Sequence, residues 1–91
     1  MNTEKVFEIN KNCVIQTVDE GSVILRLSDG QIYSCNETSQ RFIQLLDGSR
    51  KLVDVIQLFR QDYAIDESTA TKDLSELARE LLSEGVICET T

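Results

Sequence analysis

The hydrophobic period of this chain changes once, near residue 36, and that change constrains the fold more than any other feature. Residues 13–19, CVIQTVD, and 22–28, SVILRLS, are rich in β-branched side chains and bounded by turn residues, as strands are. Gln31 to Cys35 makes a third extended run after Asp29-Gly30. Beyond Asn36 the apolar residues recur at helical spacing. Three antiparallel strands followed by three helices make a small α+β unit.

In the second strand Val23, Leu25 and Leu27 alternate with Ile24, Arg26 and Ser28. One face is apolar, so the sheet is expected to be covered on one side only. The register depends on the second turn. A three-residue loop, Ser28-Asp29-Gly30, pairs Leu25 with Tyr33 and Val23 with Cys35 on the buried face. A two-residue Asp29-Gly30 turn instead pairs Leu27 with Ile32 and sets Tyr33 opposite Arg26. A slip of one residue exchanges the faces, and the three-residue loop is the expected one. Tyr33 and Cys35 then point toward the helices, while Ile32 and Ser34 face outward.

Asn36 or Thr38 caps a first helix whose apolar positions are Phe42, Ile43, Leu45 and Leu46, with Asp47-Gly48 as its stop. A second helix spans 52–62, with Leu52, Val55, Ile56 and Phe59 on one stripe. Asp66 caps a third helix over 67–84, whose buried stripe is Ala70, Leu74, Leu77, Ala78 and Leu81. Gly85 ends it, and Val86-Ile87 is expected to fold back onto the core. No proline, repeat or low-complexity tract marks a second unit, so residues 1–91 are expected to form one domain with its core at about 12–88.

Composition removes several functions. Nine basic residues against sixteen acidic ones give a net charge of −7, which argues against a nucleic acid partner. There is no histidine, no CxxC pair and no glycine-rich phosphate loop, so neither an enzyme nor a metal or cofactor site is expected. Three cysteines far apart in sequence, with no signal-like apolar block at the N-terminus, suit reduced thiols in cytoplasm. No apolar run approaches ~18 residues, so no membrane span is expected. Asp73, Glu76 and Glu80 lie on one side of the third helix, where a solvated face is the ordinary reading. An acidic carrier protein with a modified serine, here Ser68 in DEST, is the less favoured alternative, because the three-strand half fits no all-helical carrier.

The third strand, Gln31 to Cys35, is short, free of formal charge and free of proline. A meander order leaves the first and third strands as the sheet edges, and proteins usually protect such edges. The edge is either covered by the chain's own helices or a dimer partner, or left open for a peptide.

The ordered set LRLSDGQIYSCNET, LLDGSRKLVDVIQLFRQDYAID and ATKDLSELARELLSEGVI resembles the PqqD-like family, over about residues 12–88. The markers are Tyr33, Asn36, Asp47-Gly48, Tyr63, Asp73, and Leu81 with Gly85 and the apolar pair after it. Cys35 stands where the family usually has leucine. The DG-Y-N hairpin is more similar to stand-alone recognition proteins of lasso-peptide and related pathways than to the pyrroloquinoline-quinone branch. The resemblance implies a winged-helix-like fold and a recognition element for the leader of a ribosomally made precursor peptide. It implies that the leader adds to the third strand as a fourth and lies against the third helix. The expected peptide-binding residues are Gln31, Ile32, Tyr33, Ser34, Cys35, Asp73, Leu74 and Leu77, with Asp73 at the acid that recurs in the family's third helix. The implied partners are the precursor leader and a modifying enzyme, whether a radical SAM enzyme, a protease or a cyclase. A winged-helix DNA-binding regulator is the alternative, disfavoured by Asp73, Glu76, Glu80 and Glu84 against only Lys72 and Arg79 on that helix.

Overall fold

Asn36 hands the chain from sheet to helices. Its Oδ1 accepts the Ser39 amide at 2.9 Å and the Thr38 hydroxyl at 2.9 Å, so an otherwise orphaned helical N–H is satisfied. The computed structural model describes residues 2–90. Its elements are β1 (Phe7–Ile9), β2 (Cys13–Val18), β3 (Gly21–Arg26), β4 (Ile32–Cys35), α1 (Glu37–Leu45), α2 (Leu52–Asp62), α3 (Glu67–Ser83) and β5 (Ile87–Glu89). Strands β2, β3 and β4 form an antiparallel meander, and β1 pairs with β5 in a separate two-stranded sheet. The α+β order of three strands followed by three helices is the one the period change indicates.

The helices follow from their caps and stripes. Asp66 caps α3 by accepting the Thr69 amide at 3.0 Å and its hydroxyl at 2.8 Å. Lys51, at the N-cap of α2, supplies no side-chain cap. Backbone carbonyls do so instead: the amides of Leu52 and Val53 each donate at 2.8 Å to Lys5 and Thr3 respectively. Helix α1 ends at Leu45, just ahead of the expected Asp47-Gly48 stop, and Asp47 turns to accept the Ser49 and Arg50 amides at 2.9 and 2.8 Å. Phe7, Ile24, Phe42, Leu52, Val55, Ile56, Leu74, Leu81, Val86 and Ile87 belong to one buried cluster that joins sheet and helices.

The expected register of the second hairpin is corrected. Ser22 pairs with Cys35, Val23 with Ser34, Ile24 with Tyr33 and Leu25 with Ile32, so the loop is Leu27 to Gly30. The Gly30 amide closes this four-residue loop onto the Arg26 carbonyl at 2.8 Å. Neither the three-residue nor the two-residue turn forms. The inward face of β3 is therefore Ser22, Ile24 and Arg26, while Val23 and Leu25 are only partly covered. Three consecutive apolar residues hide which parity is buried, and Arg26 can point inward because Asp29 and the Glu84 carbonyl meet its charge. Tyr33 and Cys35 still face the helices, with Ile32 and Ser34 exposed on the other side.

Gly21 is held where only glycine fits. Its φ is 138°, and a Cβ built there lies 2.0 Å from the Cys35 carbonyl oxygen. Gly30 has φ 74° but open space around it. Gly30→Ala is expected to cost ~1–2 kcal/mol for the left-handed backbone alone. Gly21→Ala adds the overpacking cost, a further ~1–3 kcal/mol, and displaces β4. Urea denaturation of both variants checks the difference. The same measurement tests the register: Ile24→Ala, at a fully buried position, is expected to lose ~2–5 kcal/mol. Leu25→Ala, half-covered, is expected to lose about 1 kcal/mol, and the reverse order would contradict the pairing.

Candidate peptide-binding groove

One edge of the meander, β4, lies beside α3, and the ladder determines what that edge offers. The Arg26 amide donates to the Gln31 carbonyl at 2.9 Å, which sets the phase of the ladder. Bonded and non-bonded pairs alternate in antiparallel strands, so Ile24–Tyr33 and Ser22–Cys35 are bonded pairs. The backbone groups of Ile32 and Ser34 then point away from β3, toward the free edge. Gln31, expected to belong to that edge, has its backbone engaged: its carbonyl accepts from Arg26 and its amide donates to Asp29 Oδ1 at 3.1 Å.

One cleft borders this edge, and a second adjoins it at Leu77. The first, about 210 Å³, lies between strand and helix and is lined by Ile24, Tyr33, Ser34, Cys35, Ser39, Leu77, Glu80, Leu81 and Glu84. The second, about 290 Å³, lies between the start of α1, the end of α2 and α3, with Phe59, Tyr63, Ile65, Leu74 and Leu77 as its apolar wall and Asp73 at its rim. Of the residues singled out from the sequence, Tyr33, Ser34, Cys35 and Leu77 come together in the first cleft. Asp73, Leu74 and Leu77 come together in the second. Gln31 and Ile32 line neither. Leu74 is 4% exposed and supports the wall from beneath.

Helix α2 contributes what the sequence reading omitted. Phe59 and Tyr63, one helical turn apart, stack with ring centroids 4.6 Å apart, and Ile65 closes the floor behind them. The run YAI after α2 carried the signal, an aromatic and a β-branched residue in a connector where polar residues are usual. Thr38, Ser39, Glu80 and Glu84 were likewise missed as lining residues, since none differs locally from an ordinary surface position.

The groove is acid-rimmed. Asp73, Glu76, Glu80 and Glu84 make none of the ion pairs formed among the described residues. Neither Lys72 nor Arg79 pairs with Asp73. Burial, followed by the charge of Glu84, pushes the Cys35 thiol up, so it stays neutral and acts as a small apolar group. Arg26 braces one end of the groove. Its guanidinium lies 5.4 Å from the Tyr33 ring centre, donates to the Glu84 carbonyl and pairs with Asp29 at 2.6 Å. The hydrogen bond from Arg26, and then that from the Gln31 amide, hold Asp29 down to about 2. A depressed carboxyl contributes to the fold above its unfolded value of ~4 and loses that contribution as pH falls toward 2. Asp29 is half-exposed, so solvent screening keeps the effect small.

Among the described residues no His, Cys, Asp and Glu cluster is placed to hold a metal ion, and no helix is long and apolar enough to cross a membrane. No curated protein matches the chain in sequence. Two solved structures share its fold. One, TbiB1 in complex with the TbiA(beta) leader peptide, is 21% identical with a TM-score of 0.81, over 88% of this chain and 93% of that one. The other, a lasso peptide synthetase B1 complexed with the leader peptide, is 23% identical with a TM-score of 0.81, over 90% and 96%. The family model described as coenzyme PQQ synthesis protein D (PqqD) matches residues 21–87, from the start of β3 into β5, and on that match the chain belongs to the PqqD family.

Proposed function

We propose that this chain is a single-domain adaptor that binds the leader of a ribosomally made precursor peptide and presents it to a maturation enzyme. The observation that carries the reading is the free edge of β4 beside an apolar cleft on α3. A leader strand bonded to Ile32 and Ser34 gains backbone affinity that tolerates many sequences. Every second leader side chain then turns inward past Tyr33 and Cys35 toward Leu77, and a neighbouring segment reaches the wall of Phe59, Tyr63, Ile65 and Leu74. The solved relatives of the same fold, complexed with leader peptides, support this reading. A lasso-type precursor is the branch they favour, and three free thiols suit a cytoplasmic setting.

Charge selects among leaders. Asp73, Glu80 and Glu84 border the two clefts, so a leader carrying lysine or arginine is drawn in faster and held better than an acidic one. The DNA-binding regulator is disfavoured on the same ground, because the helix that would read a groove presents carboxylates to phosphates.

Titration of a synthetic lasso-type precursor peptide, and separately of duplex DNA, tests the reading. Binding confined to the leader half of the precursor supports it, and binding to duplex instead overturns it. Asp73→Asn is expected to leave the thermal midpoint unchanged, to weaken leader binding about tenfold, roughly 1.4 kcal/mol, and to reduce its salt dependence. Unaltered affinity and salt dependence would make Asp73 an ordinary surface acid.

A further inference from the structure

The other edge of the meander, β2, is left unguarded. Its six residues, CVIQTV, hold neither charge nor proline, the usual protection of an edge. Val14 pairs with Leu25 and Gln16 with Val23. These pairs carry the ladder bonds, because β3 turns the backbone groups of Ser22 and Ile24 toward β4. The backbone groups of Ile15 and Thr17 therefore point away from β3, and no turn or loop bond among the described residues uses them.

Such an edge can pair with itself about a two-fold axis, since a symmetric interface sets residue i against j and j against i. Centring the axis on Gln16 sets Ile15 against Thr17 of the second copy and Thr17 against its Ile15, so every free residue of both edges is bonded. The outward row then sets Val14 against Val18 of the second copy, and the reverse. These are the exposed apolar side chains of β2, at 49% and 47%. Centring on Ile15 instead calls on Cys13, whose amide already donates to the Asn10 carbonyl at 3.0 Å. Centring on Thr17 sets Val14 against Glu20. The Gln16 axis alone matches backbone groups and apolar side chains together.

Charge favours the same alignment. Lys11 lies in the turn before β2 and Asp19-Glu20 in the turn after it, all exposed. None of the three enters an ion pair formed among the described residues. The antiparallel seam brings Lys11 of each copy to the Asp19-Glu20 turn of the other. On the inward side, Ile15 of the second copy closes over the cleft lined by Ile9, Thr17, Ile43 and Leu46. The seam is short, ~20 Å for six residues. Each copy also carries a net charge of −7, so the pair belongs with weak, reversible associations.

We propose that β2 is a homotypic edge, along which two copies of this chain pair antiparallel about Gln16. The product is a six-stranded sheet whose outermost strands are the two β4 edges. Each copy keeps its own groove, and the pair presents the two grooves at opposite ends of one sheet.

The test is sedimentation of the full chain over a concentration series, with substitutions at the axis. Gln16 is exposed and lies on the strand farthest from the β4 groove. Wild type is expected to show a reversible monomer–dimer equilibrium. Gln16→Lys and Gln16→Glu each set like charges face to face, and each is expected to weaken the dimer about fivefold. An equimolar mixture of the two sets opposite charges face to face and is expected to associate at least as tightly as wild type. Thr17→Pro removes an amide that bonds nothing within the chain, so it serves as a further variant should either of the others fail to fold. It is expected to abolish the dimer. A wild type that stays monomeric throughout the series overturns the proposal, as does a mixture no tighter than either variant alone. A dimer that a synthetic lasso-type leader peptide splits also overturns it, since its seam would then be β4.

Discussion

The pairing of Ile24 with Tyr33 governs the geometry on which the proposed function depends. Ile24 is fully buried, so β3 cannot slip by one residue without moving it into water and turning Val23 and Leu25 inward. That pairing, in turn, puts Tyr33 and Cys35 against α3 and leaves the backbone of Ile32 and Ser34 facing open solvent. Gly21 lets β3 pass close under Cys35, and Arg26 ties the hairpin to the end of α3. The width of the groove is thus set by contacts among β3, β4 and α3, and under the proposed function the leader would supply the missing strand.

Both edges of the meander are available, and they differ in chemistry. By the same alternation the free backbone groups of β2 fall at Ile15 and Thr17, next to a cleft of about 260 Å³ lined by Ile9, Ile15, Ile43 and Leu46 with Thr17, Ser22, Gln40 and Gln44. That cleft is neutral and rimmed by amides. The β4 groove and the cleft adjoining it carry carboxylates, two stacked aromatic rings and an apolar wall that includes Ile65, Leu74 and Leu77. An extended peptide with an apolar anchor and a cation gains more at β4, because its side chains find complementary partners as well as backbone hydrogen bonds.

Helices were legible because their signals are local. The side chains of Asn36 and Asp66 cap what they were expected to cap, and the span 52–62 of α2 follows from its stripe. The strand register was not legible, because Val23, Ile24 and Leu25 are all apolar and the choice between parities is made by Arg26. Its inward position depends on a carbonyl 58 positions away. The β1–β5 pair escaped notice for a similar reason: three-residue strands from opposite ends of the chain carry no readable period. At the groove, α3 and β4 could be named from spacing and resemblance, while the contribution of Phe59, Tyr63 and Ile65 emerges only when α2 packs beside them.

Amide hydrogen exchange in the presence and absence of leader tests strand addition at β4 most directly. The account predicts new protection at the Ile32 and Ser34 amides, little change at Tyr33 and Cys35, which already bond to β3, and none at Ile15 and Thr17. Protection at Ile15 and Thr17, or binding with no change at Ile32 and Ser34, would contradict it.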